Sequence, residues 1–141
     1  MMTDELNEMN PKVAIAPVVA TDNTALVSNI IDTLGHRACT FVIVTGTLED
    51  ANATFAVTLE HGNDSGLSDT AVPAATDLVG TPTLAGFTFA ADNACRKIGY
   101  IGGRRFVRLT ITPSANTGNA PLACVAILGD ALSQPTANPP V

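Results

Sequence analysis

The chain has 141 residues, with 13 Asp and Glu against 7 Lys and Arg for a net charge of −6, and it is 46% hydrophobic, 4% aromatic and only 14% charged. A chain of this length is one domain and buries roughly 68–70% of its unfolded surface, so a core needs no metal or disulfide staple. The acidic balance excludes bulk attraction to nucleic acid or an anionic membrane. No apolar run approaches the ~20 residues of a membrane-spanning helix, and the charged fraction is far below the ~25% usual for soluble domains, leaving uncharged surface suited to oligomer or assembly contacts.

The first twelve residues carry Asp4, Glu5 and Glu8 and end just past Pro11, the composition of an arm that a partner orders. They are acidic where a signal peptide would be basic and then apolar, which predicts a protein made in the cytoplasm and not exported by the secretory route. Residues 13–19 read as a first strand that Pro17 confines to a sheet edge. Residues 23–35 are ambiguous. Leu26, Ile30 and Leu34 share a helical face between Asn23 as a cap and Gly35 as a terminator, yet the β-branched content and the alternation from Ala25 to Ser28 favour a strand.

Residues 39–45 are strongly β-branched on both faces, the pattern of a strand covered on two sides, and residues 54–60 alternate Phe55, Val57 and Leu59 inward against Thr and Glu outward. A turn cluster at 61–66 and a loose excursion over 67–82 follow, with a short strand expected at 77–80 and another at 87–90. Residues 96–101 and 104–112 are predicted to pair as a hairpin across Gly102 and Gly103, and 122–128 form a last strand. Residues 133–141 hold three prolines and form a tail without regular structure. The expected fold is all-β, an antiparallel β-sandwich and most simply a jelly roll of seven to eight strands, over a body of residues 13–132 between two extended arms.

No spacing suited to catalysis, a metal or a cofactor is visible. His36 and His61 stand apart from any Ser, Cys or carboxylate partner and are expected at strand ends. Glu49 with Asp50, and Asp64 with Asp69, lack the ligand spacing of a calcium loop and read as solvated loop carboxylates. Gly99, Gly102 and Gly103 lead into a strand, not into the helix N-terminus that a phosphate loop requires. The exceptional feature is charge placement: Arg96, Lys97, Arg104, Arg105 and Arg108 are five of the seven basic side chains. With Tyr100 and Phe106 they suggest base stacking, which the acidic remainder disfavours, so no nucleic-acid partner is expected. They read better as an ion-pairing patch for an acidic partner, such as the N-terminal arm of a neighbouring copy, or as residues that solubilise one face through local acids such as Asp92.

At 22–35, 45–55, 77–81 and 96–113 the chain resembles a family of small virion structural proteins that tailed bacteriophages and prophages encode near their head genes. The resemblance implies a non-enzymatic protein on the virion's capsid surface, assembled in the host cytoplasm. There it would decorate and cement the capsid as a homotrimer bridging major capsid protein subunits. A head–tail collar or fibre-base component is the nearest alternative. A carbohydrate-binding jelly-roll module is another, although the chain has no Trp and a single Tyr for a sugar platform. Cys39, Cys95 and Cys124 lack paired spacing and read as buried free thiols, while the virion context implies intermolecular disulfides as an alternative.

Overall fold

The computed structural model describes residue 1 and residues 3–141. Among the described residues, ten strands form two antiparallel sheets: β1 (Asn10–Ala20), β2 (Leu26–Val27), β3 (Ile31–Asp32), β4 (His36–Thr45), β5 (Thr54–Gly62), β6 (Leu78–Val79), β7 (Phe87–Thr88), β8 (Cys95–Tyr100), β9 (Phe106–Ser114) and β10 (Ala120–Ala131). The first sheet has the order β1-β10-β4-β8-β6. The second has the order β2-β9-β5-β7, with β3 also on β9. Successive strands switch sheets along the chain. If β2 and β3 count as one interrupted strand and β6 as an added edge, the result is the eight-strand jelly roll with its two interlocked Greek keys.

The period-two reading holds in the core. Phe55, Val57 and Leu59 of β5 and Val107, Leu109 and Ile111 of β9 point inward from the second sheet. Facing them from the first sheet are Phe41 and Ile43 of β4, Ile98 and Tyr100 of β8, and the Leu122 to Leu128 inner row of β10. Phe87 stacks on Phe55 at 4.7 Å, closing one flank of the sandwich. Pro17 sits on β1, which pairs only with β10 and is therefore an edge as expected. Residues 23–35 are extended, with β2 and β3 docked on β9 and Gly35 at φ +84° closing the turn into β4. One short helix, α1 (Pro82–Ala85), was not foreseen. Its signal is Thr81 before Pro82, where the Thr hydroxyl accepts the Leu84 N–H at 3.2 Å and the proline occupies a position needing no donor. No helix among the described residues is long and apolar enough to cross a membrane.

Two expectations change. Residues 96–101 and 104–112 do not form a hairpin: β8 pairs with β4 and β6 in one sheet, and β9 pairs with β5, β2 and β3 in the other. The segment 101–105 is an inter-sheet arch. Gly102 is needed there for close approach and not for a turn, because a Cβ at that position would lie 2.6 Å from Tyr100 ring and hydroxyl atoms. The second change concerns β4. Its inner residues Phe41 and Ile43 are fully buried, but its outer residues Thr40 and Val42 are only half-buried and Val44 is exposed, so the chain covers one face of this strand and not two.

Candidate functional site

That uncovered face is the outer surface of the first sheet. Register places Val13, Val125, Val42 and Lys97 in one row across β1, β10, β4 and β8, and Pro11, Ile127, Thr40, Gly99 and Val79 in the next. Lys97 is the only charge in either row. At the β8 end the face deepens into a cavity of about 550 Å³, where Val79, Leu84 and Ile101 lie beside Arg96 and Lys97. All three apolar side chains are more than half exposed. The four strands span about 19 Å side by side, β1, β4 and β10 running about 30 Å or more and β8 about 20 Å. This projected face of roughly 500 Å² is below the ~800 Å² that each partner contributes to a stable interface but of the same order.

The five basic side chains separate into two groups. Arg105 makes a two-pronged pair with Asp32, Nε to Oδ1 at 2.8 Å and Nη2 to Oδ2 at 2.7 Å, and its guanidinium lies 5.0 Å from the Phe106 ring centre. The Arg105 hydrogen bonds hold the Asp32 carboxyl below its usual range. Arg108 pairs with Glu60 directly across β5 and β9, at 2.5 Å. Arg104 donates to the Asp69 carbonyl at 3.1 Å and lies 3.9 Å from its carboxylate. These three are thus engaged inside the chain, with Asp32, Glu60 and Asp69 as partners. Asp92 instead accepts the Leu48 N–H. Among the described residues, Arg96 and Lys97 have no carboxylate within 4.0 Å and no hydrogen-bond partner, and they alone line the cavity.

The other candidates resolve by burial and hydrogen bonding. Cys39 and Cys124 are buried without a disulfide, and burial pushes both thiols up to about 12, while Cys95 is exposed at the cavity rim. Tyr100 is 1% exposed and offers no stacking face. Its hydroxyl is 2.9 Å from His61 Nδ1, donates to the Arg104 carbonyl at 3.0 Å and accepts the Arg104 N–H at 3.2 Å. Since the hydroxyl's one proton is used on that carbonyl, His61 must donate from Nδ1, which makes the pair a polar tie between the two sheets. Burial first, then the Arg104 charge, lowers the His61 pKa, so the ring is neutral at pH 7. His36 has a different setting at the start of β4, where Nδ1 is 3.3 Å from the Leu34 carbonyl.

The loop carboxylates hold backbone. Asp64 accepts from Gly66 and Ser68, Asp69 from Asn63 and Asp64, Asp50 from Asn52 and Thr117, and Glu49 from Asn119. Among the described residues no group of three or more His, Cys, Asp or Glu is placed to hold a metal ion. The cavity's apolar members, Val79, Leu84 and Ile101, were not foreseen. They come from three separate loops and edges, and an isolated exposed aliphatic carries no pattern in sequence.

No protein-family model matches the chain, and no curated protein does. Solved structures are similar to the chain at low identity. The SPBc2 prophage-derived protein YomS is 10% identical, covering 90% of this chain and 97% of that one, with a TM-score of 0.48. The CBM22-1–GH10 modules of Clostridium thermocellum xylanase Xyn10B are 10% identical over 95% of this chain and 28% of that one, with a TM-score of 0.49. A Bacillus endospore appendage protein is 12% identical over 94% and 98%, with a TM-score of 0.40. The protein is an antiparallel jelly-roll β-sandwich, and what it does must be argued from its own surface.

Proposed function

We propose that this protein is a structural component of a phage virion that acts by contact, decorating the capsid exterior as a homotrimer and stabilising it by bridging major capsid protein subunits. The observation that carries this reading is the outer face of the first sheet: Val13, Val42, Val125 and Ile127 lie there almost without charge, in strands whose sequence is core-like on both sides. Uncovered apolar sheet of this extent on a 141-residue chain supports a life in an assembly, because scattered single hydrophobics are ordinary on monomers and contiguous faces are not. The resemblance of residues 22–35 and 96–113 to small phage head-region proteins supplies the virion context. Cyclic repetition then makes individually modest contacts act together.

The test is rebinding. Purified protein added to particles that lack it should co-sediment at many copies per capsid and raise the temperature at which the shell releases its DNA. Rebinding at a single vertex would reassign the protein to a collar or fibre base. Failure to co-sediment, with shell stability unchanged, would overturn the reading.

A further inference from the structure

We infer that the cavity beside β8 receives the acidic N-terminal turn of a second copy of this chain, so that copies associate head to tail. The inference deepens the self-assembling reading above and rests on it. Its first support is a charge audit. Every other charged side chain in the described chain has a partner: Arg37 pairs with Asp130, Lys12 donates to the Val141 carbonyl, and Asp22, Asp77 and Asp92 accept backbone N–H groups. Asp4 likewise accepts from Leu6 and Asn7. Among the described residues only Glu5, Glu8, Arg96 and Lys97 are left without one, two acids at one place and two bases at another.

The acidic pair is displayed on an ordered element. Glu8 and Met9 donate their N–H groups to the Glu5 carbonyl at 3.1 and 3.2 Å, which closes one turn, and the Asp4 carboxylate accepts the Leu6 N–H at 2.9 Å. Thr136 of the C-terminal tail clamps this turn, its hydroxyl donating to Met9 at 2.7 Å and its N–H to the Asn7 carbonyl at 2.9 Å. Glu5 and Glu8, three apart in the turn, fall on one side of it with Leu6 exposed beside them. The turn therefore offers an apolar tip flanked by two carboxylates, and the cavity offers Val79, Leu84 and Ile101 along the β8 edge, with Lys97 on the outer side of that strand and Arg96 on the opposite side. Little order has to be gained on docking.

The two patches do not meet within one chain. Asn10, where the turn joins β1, is paired with Leu128, whereas Lys97 is three strands away in the row of Val13. Strand spacing and rise put Asn10 about 17 Å from Lys97, and the turn is tied by Thr136 to the C-terminal tail. Two different patches that complement each other make a heterologous contact, which closes into a ring when the rotation permits. That geometry is the one a cyclic trimer uses.

The test is sedimentation velocity on the full chain. Arg96→Glu with Lys97→Glu, and separately Glu5→Lys with Glu8→Lys, should each weaken self-association by at least about tenfold, since like charges then face each other. Mixing the two variants should restore pairwise association but not a closed trimer, because each carries the complement of the other and an odd ring must set two like copies side by side. Melting temperature measured at a concentration where wild type is dissociated should stay at the wild-type value in both variants, as none of the four side chains has an internal partner. A Leu6→Cys chain should form disulfide-linked oligomers through the native Cys95 under mild oxidation, and a Leu6→Cys, Cys95→Ser chain should not. Variants that associate like wild type, a mixture that stays dissociated, or a wild-type chain that is monomeric yet rebinds capsids would each overturn this inference and leave the capsid role standing. Restored association in the mixture with no rebinding to capsids would remove the capsid role and leave the head-to-tail contact.

Discussion

Replacing Tyr100 with Phe removes one oxygen from the centre of the sandwich, and the structure sets its cost. The ring stays packed, so the change isolates the hydroxyl and its links to His61 and to both backbone groups of Arg104. His61 is buried, and its Nδ1–H is left with no acceptor. Arg104 is only half-buried, so water replaces much of what its peptide loses. One orphaned buried donor plus a partial backbone loss amounts to about 2–3 kcal/mol. For a chain of this length that is a fall in Tm of roughly 6–10 °C. Thermal melts followed by circular dichroism at pH 8, where His61 is neutral in both folded and unfolded chains, read it directly. His61→Leu combined with Tyr100→Phe should cost less than the sum of the two single changes, because the double variant leaves neither side-chain group orphaned. A Tm drop under about 2 °C for Tyr100→Phe, or strict additivity of the pair, would refute the inter-sheet tie.

The remaining expectations use the same structure. Gly102→Ala forces a Cβ into the Tyr100 ring and should cost about 1–3 kcal/mol, while Gly103→Ala, with nothing within 4 Å of its Cβ position, should leave the melt unchanged. Leu109→Ala, fully buried in β9, should cost about 2–5 kcal/mol in chemical denaturation. Because the folded His61 pKa is depressed below its ordinary value near 6.5, the unfolded chain binds a proton first on acidification. The stability His61 contributes is full above that value and is lost as pH falls below it, down to the folded pKa. Melts from pH 8 to 5 should show the decline, and His61→Gln should flatten it. Native protein should titrate one thiol, Cys95, with an aromatic disulfide reagent, and denatured protein all three, since Cys39 and Cys124 are held buried with their pKa near 12.

The candidate site was legible only in part. Clustering of base between residues 96 and 108 is plain in the sequence, and so is the acidity of Asp4, Glu5 and Glu8. Which of those bases stay unpaired is not, because Asp32, Glu60 and Asp69 reach Arg105, Arg108 and Arg104 from 73, 48 and 35 residues away. Ion pairs of that separation exist only after the strands have chosen their neighbours.

Alternation along each strand is a local property, and the chain carries it wherever one side must leave water. Phe55, Val57 and Leu59 could therefore be assigned inward from sequence alone, Pro17 could be assigned to an edge for want of a donor, and the all-β sandwich followed. A period of two says which side a residue takes and nothing about which strand lies alongside it. That is why residues 96–101 and 104–112 looked like a hairpin, and only tertiary structure sends them to opposite sheets across the Gly102 arch. The same limit applies to the second side of β4. Its sequence is apolar on both faces, but whether the outer one is covered depends on what the rest of the chain has left over to pack there. Among the described residues little packs there, so Thr40 and Val42 stay half-buried and Val44 exposed.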